Sequence, residues 1–165
     1  MSGEALLEIN DLVKYFPVFS RGVLLKKQIG VVHAVDGVSL SIPRGITFAL
    51  VGESGSGKTT LGNTILHIEQ PTSGEVFFKG RNVSEVLRIG SKAEKLALRR
   101  NMQVIFQNPY ASLDPRMTVY DIVSEPFVIH GHVDKGKTDD RVYRLLHMVG
   151  LEEYHAERYP HEFSG

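Results

Sequence analysis

The stretch Ile46-Thr47-Phe48-Ala49-Leu50-Val51-Gly52-Glu53-Ser54-Gly55-Ser56-Gly57-Lys58-Thr59-Thr60 decides the fold. Its first six residues are nearly all apolar, which is how a strand buried on both faces of a parallel sheet reads. The run from Gly52 satisfies G-x-x-x-x-G-K-[ST], and Leu61 to His67 reads as a helix stopped before Pro71. A chain that binds a triphosphate must aim many backbone N–H groups at dense negative charge, with no side chain in the way. Gly52, Gly55 and Gly57 permit such backbone angles, and the helix behind them turns its positive end to the phosphates. Glu53, Ser54 and Ser56 complete the loop and Thr60 closes it, while Lys58 reaches for the β- and γ-phosphates and the Thr59 hydroxyl is placed to ligate Mg²⁺. A chance glycine-rich turn is the plain alternative. A strand before the loop and a helix after it are the context that argues against it.

Outward from this loop the chain reads as α/β. Leu6 to Leu12 alternates weakly, as a half-buried strand does, and Val38, Leu40 and Ile42 alternate within residues 31–42. Between them, Ser20-Arg21-Gly22 and Lys26-Lys27-Gln28 suggest a loop or hairpin. Gly74 to Phe78 and Val104 to Phe106 are short strand candidates. Ser91-Lys92-Ala93-Glu94 matches a capping box and predicts a helix over 92–100. Thr118 to Ser124 begins another helix, which Pro126 is expected to bend or end. Val142, Leu145, Leu146 and Val149 form one apolar helix face, with Gly150 as its cap.

Composition narrows the function. The 165 residues carry 19 Lys+Arg against 19 Asp+Glu and no Cys. Zero net charge argues against a sequence-independent nucleic-acid binder. The lack of cysteine excludes disulfides, thiolate zinc sites and cysteine nucleophiles. No apolar run approaches the roughly 18–20 residues of a membrane span, and Met1 to Glu4 has no secretory pattern. His130-Gly131-His132 reads as a solvated loop, and Arg88, Lys92, Lys95, Arg99 and Arg100 as a solvated helix face.

Gln107 stands at the end of the strand candidate Val104 to Phe106, before Asn108-Pro109-Tyr110-Ala111-Ser112-Leu113-Asp114-Pro115-Arg116. Such a glutamine can offer its carbonyl oxygen to Mg²⁺ and its amide to an attacking water; a proline-stabilised surface turn is the alternative. Together with the phosphate loop and the terminal Pro160-His161-Glu162-Phe163-Ser164-Gly165, this segment resembles ATP-binding cassette (ABC) transporter ATPase subunits. Tyr15-Phe16-Pro17-Val18 and Ala34 to Ser39 extend the similarity to the oligopeptide/dipeptide-importer branch.

The resemblance implies a P-loop NTPase core with an antiparallel β subdomain, residues 1–111 running up to the glutamine loop and residues 112–165 belonging to the helical subdomain. It implies ATP and Mg²⁺ as cofactors, Gln107 as the coupling glutamine beside Thr59 at the metal, and Phe16 as the adenine-stacking aromatic, with Tyr15 as the alternative. It also implies a second ABC ATPase subunit, identical or related, and transmembrane permease subunits faced by residues 108–126. The location implied is peripheral, at the cytoplasmic face of the cell membrane.

Two residues depart from the pattern: Ile46 stands where glutamate is usual and Asn108 where aspartate is common. Phe163-Ser164-Gly165 resembles the first half of the family signature. On that basis the chain is expected to be an N-terminal fragment without the later core strands, the Walker B aspartate, the catalytic glutamate and the switch histidine, a role His161 does not inherit. Such a fragment would bind ATP and turn it over poorly. The rival expectations are a nucleotide binder without turnover and a soluble ABC-type ATPase working on nucleic acid or ribosomes.

Overall fold

The computed structural model describes residues 5–20, 27–108, 112–131 and 135–163. The chain forms two compact units, Met1–Gln103 and Val104–Gly165. Residues 21–26 of the expected loop or hairpin, residues 109–111 after Gln107 with the subdomain boundary at 111, the histidine at 132, and residues 164–165 of the signature segment lie outside the described residues.

In the first unit, β1 (Ala5–Phe19) and β2 (Gln28–Pro43) form a long antiparallel hairpin, closed where the Ser20 N–H donates to the Lys27 carbonyl at 2.8 Å. β3 (Ser73–Phe78) pairs with the other edge of β1, and the short β4 (Arg81–Asn82) completes the sheet order β2-β1-β3-β4. A bulge at Asp11, whose φ is 47°, shifts the register between Ile9 and Leu12 and brings both side chains to the buried face. There they meet Val35, Val76, Leu61 from α1 (Lys58–Ile65) and Val83 from α2 (Val83–Ile89). The predicted capping box starts α3 (Lys92–Asn101): the Glu94 N–H donates to Ser91 Oγ, and Glu94 Oε2 accepts from the Ser91 N–H. An ion pair with Arg81 helps to hold the Glu94 carboxyl down at about 2.

In the second unit α4 (Val119–Ile129) and α5 (Lys135–Met148) pack with two 3₁₀ turns, Glu153–Glu157 and Pro160–Glu162. Val142, Leu146 and Ala156 form the buried centre. The Gly150 cap is present: its N–H donates to the His147 carbonyl and that of Leu151 to the Leu146 carbonyl, with Gly150 at φ 78°. This paired arrangement is the Schellman motif.

Four expectations are corrected. Ile46 to Val51 is not a strand, and Val51 is 88% exposed; Val104 to Phe106 is not a strand either, with Ile105 at 95%. A strand of the parallel kind needs neighbours on its hydrogen-bonding edges, and among the described residues neither segment has a paired strand. α4 continues through Pro126 to Ile129, so of the two outcomes expected of Pro126 it does not end the helix. Proline removes one helical N–H, and the packing of Val123 and Phe127 against the second core offsets that loss. Of the four residues expected on one apolar face, only Val142 and Leu146 are buried, because Ala156 and Leu151 cover that narrow stripe and leave Leu145 and Val149 outside.

Candidate functional site

The phosphate loop leaves residue 51 and turns at Gly55 (φ 82°) and Gly57 (φ 91°) before α1 begins at Lys58. Gly57 is required twice over. Its backbone lies in the left-handed region, and a Cβ there would stand 2.1 Å from the Ala34 carbonyl oxygen of β2. The loop is thereby seated against the sheet. Lys58 folds back over it, its ammonium donating to the Gly52 carbonyl at 2.8 Å and the Glu53 carbonyl at 2.6 Å, with Ser56 Oγ at 3.3 Å. The Ser56 N–H donates to the Glu53 carbonyl at 3.2 Å, so Ser54 sits inside a closed turn.

No side chain caps the start of α1, and no acidic residue lies in its first turn. Its first N–H groups and its positive dipole end are therefore suited to an anion. Thr59 is exposed in that first turn. Thr60 is half-buried, and its carbonyl accepts from the buried Thr64 hydroxyl at 2.7 Å. At the other end of α1 the backbone turns at His67 (φ 58°), whose Nε2 lies 3.1 Å from Ser84 Oγ while its Nδ1 is buried without a partner. Burial pushes the His67 pKa below its ordinary value.

The two aromatic candidates on β1 separate onto opposite faces, as neighbouring strand residues do. Tyr15 pairs with His33, stacks on its ring at 3.9 Å and donates its hydroxyl to Asp36, a bond that raises the phenol pKa. Phe16 pairs with Val32, two residues along β2 from the Ala34 that meets Gly57. Phe16 is half-buried, and the Lys14 ammonium lies 4.6 Å from its ring centroid. That ammonium also donates to the Gln70 carbonyl at 2.9 Å and pairs with Glu69 at 3.1 Å.

The first unit thus holds Gly52, Glu53, Ser54, Gly55, Ser56, Gly57, Lys58, Thr59 and Thr60 in one loop and helix start, and Phe16 on the hairpin whose Ala34 carbonyl meets that loop. Gln107 belongs to the second unit, exposed on the bend after Phe106. Among the described residues no group of three or more His, Asp or Glu gathers as a metal site. Sequence reasoning missed Lys14 and the Ala34 carbonyl. Lys14 had a signal, since it stands two residues before Phe16 on a strand and so shares its face. The Ala34 contact had none, because it is a backbone approach between distant segments.

A protein-family model described as ABC transporter matches residues 35–165. The chain belongs to the ABC transporter family. This ABC chain is 44% identical over 164 residues to the oligopeptide transport ATP-binding protein AppF of Bacillus subtilis (strain 168), covering 98% of the chain and 48% of AppF. It is 45% identical over 165 residues to the glutathione import ATP-binding protein GsiA of Escherichia coli (strain K12), covering 100% of the chain and 26% of GsiA. The chain therefore spans about half the length of one relative and about a quarter of the other. Among solved structures, the ATP-binding cassette MJ0796 bound to ADP and Pi superposes with a TM-score of 0.71 at 24% identity, over 96% of this chain and 63% of that one. CbiO1 of Clostridium perfringens, part of the ABC transporter complex cbiONQ, gives 0.65 at 25%, over 98% and 56%. The fold is that of an ABC ATPase, as expected from the sequence. Among the described residues no helix is long and apolar enough to cross a membrane.

Proposed function

We propose that this ABC chain supplies ATP-binding residues to the energy-coupling subunit of an importer for oligopeptides, dipeptides or similar solutes, and that ATP binding and hydrolysis in the whole subunit drive transport. The observation that carries the reading is the phosphate loop itself: Gly57 seated on the Ala34 carbonyl, Lys58 held over the loop, and an uncapped helix start behind them. Gly52 to Thr60 hold the phosphates and Phe16 holds the base. Mg²⁺ rests on few protein oxygens and completes its shell with phosphate and water. The Thr59 hydroxyl and the Gln107 amide oxygen are donors of that kind, and the ion would neutralise charge that develops on the phosphates.

The naming of AppF and GsiA as transport and import proteins supports the solute class. The dimeric form of the MJ0796 cassette supports pairing with a second ATPase subunit. The second unit carries an apolar cavity of about 380 Å³ lined by Leu113, Val119, Ile122, Val123 and Phe163, among others. It lies on and beside the segment assigned to the permease subunits, through which the protein would sit peripherally at the cytoplasmic membrane face. No nucleic-acid partner is proposed.

The test is calorimetric titration of Mg²⁺–ATP into the protein and into Lys58→Ala, with circular dichroism as the folding control. Loss of binding in a folded variant is expected. Retained affinity there would overturn the role of Lys58.

A further inference from the structure

We propose that Lys14 is a positioning residue for the nucleotide base, locking the Phe16 ring to the corner where the P-loop helix ends. The inference rests on the reading that Phe16 stacks on adenine. Its own observations are geometric. Lys14 is a long cation that ordinarily extends into water, yet its side chain is only 13% exposed. Its ammonium is spent on three neighbours at once: the Phe16 ring at 4.6 Å, the Gln70 carbonyl at 2.9 Å and the Glu69 carboxylate at 3.1 Å.

Glu69 and Gln70 are not on the hairpin. They follow α1, and the Glu69 N–H donates to the Asn63 carbonyl inside that helix at 3.1 Å. The start of the same helix bears Lys58 and Thr59. Lys14 therefore ties the segment that would hold the base to the helix that would hold the phosphates, beside the Thr72 hydroxyl, which accepts from the Tyr15 N–H at 2.9 Å. A nucleotide needs both subsites at a fixed separation, and the ammonium over the Phe16 ring restricts where that ring can stand.

The chemistry at the ring points the same way. A cation over one face of an aromatic is attracted by the ring quadrupole. It covers that face and leaves the base the opposite one, so Lys14 selects which side of Phe16 is used. With the ion pair to Glu69 formed, the charge is balanced locally and does not attract the phosphates away from the loop. Tyr15, turned to His33 and Asp36 on the opposite face, does not compete.

The experiment compares ATP with inorganic tripolyphosphate, a probe that has the phosphates and lacks the base. Calorimetric affinities for both are measured on the full chain, on Lys14→Met, which keeps most of the aliphatic stem, on Lys14→Arg and on Phe16→Ala. Lys14→Met is expected to weaken ATP by about three- to tenfold and to leave tripolyphosphate unchanged, and Lys14→Arg to restore most of the loss. Equal losses for both ligands would mean a merely structural lysine and overturn the proposal. No loss for ATP would do the same. Phe16→Ala separates the two levels: if it weakens ATP selectively while Lys14→Met does not, Lys14 alone is misassigned. If Phe16→Ala leaves ATP untouched, the base-stacking reading and the proposal fall together. Should Lys14→Met not fold, Glu69→Gln, which leaves the cation over the ring and removes its ion pair, is expected to shift ATP selectively by a smaller factor; an equal shift in tripolyphosphate, or no shift in ATP, would overturn the proposal.

Discussion

Replacing Gly57 with alanine tests whether the phosphate loop is held by the sheet or merely by its own turns. Two costs are expected. An L-residue at φ 91° gives up about 1–2 kcal/mol relative to an ordinary conformation. The new Cβ would also sit 2.1 Å from the Ala34 oxygen, so the loop or β2 must retreat by about 1 Å, with an overpacking cost of about 1–3 kcal/mol. Gly55→Ala is the internal control, because Gly55 has a similar φ of 82° and nothing within 4 Å of its Cβ position. Gly74→Ala is the opposite control: its Cβ would meet the Asp11 oxygen at 2.2 Å, on the sheet and outside the phosphate loop.

Urea unfolding and Mg²⁺–ATP titration of the three variants separate the effects. Gly55→Ala should lose only the conformational part in stability. Gly74→Ala should lose stability without a selective loss of nucleotide affinity beyond its unfolded fraction. Gly57→Ala should lose both, with affinity down at least tenfold for each 1.4 kcal/mol of misplacement in the loop. If Gly57→Ala is no worse than Gly55→Ala in either measurement, the seating of the loop on Ala34 is refuted.

Other outcomes follow from groups away from the loop. His67 has its folded pKa pushed below 6.5 by burial, so the unfolded chain takes up the proton first; stability should be full above pH 6.5 and fall as the pH drops below it, until the folded state also protonates. Urea midpoints across that range check this, and His67→Gln should flatten the curve. Tyr120 donates to Asp139, and that bond pushes the phenol up to about 12. Its contribution is thus whole below the ordinary phenol value of 10.0 and fades as pH rises towards 12, which near-ultraviolet titration of the phenolate would show as a late step absent in Tyr120→Phe. In neutral solution that variant should cost about 1 kcal/mol in unfolding free energy.

Much of the architecture is readable from short segments. The capping box at Ser91, the Schellman glycine at Gly150 and the phosphate loop each need a particular residue at a particular local offset, and all three appear where the spacing puts them. Family membership follows from the same local signatures. Segments that depend on distant partners read less well. Ile46 to Val51 has the composition of a buried parallel strand, yet hydrophobicity specifies only that a partner is wanted, and the described residues pair no strand with it. Pro126 forbids one helical hydrogen bond, but the cost is met by packing of Val123 and Phe127 that no local rule contains.

The sequence by itself determined the chemistry on offer: glycines that free a backbone, a lysine and a threonine at the head of a helix, and two adjacent aromatics on a strand. Only the tertiary structure decided how that chemistry is mounted. The hairpin register turns Tyr15 to His33 and leaves Phe16 under Lys14, and the approach of β2 to α1 makes Gly57 irreplaceable. The physical reason is range. Backbone permissiveness and helix capping act within a few residues, whereas register, seating and ion pairing join residues dozens of positions apart, whose separation is set by how the hairpin and the helix pack.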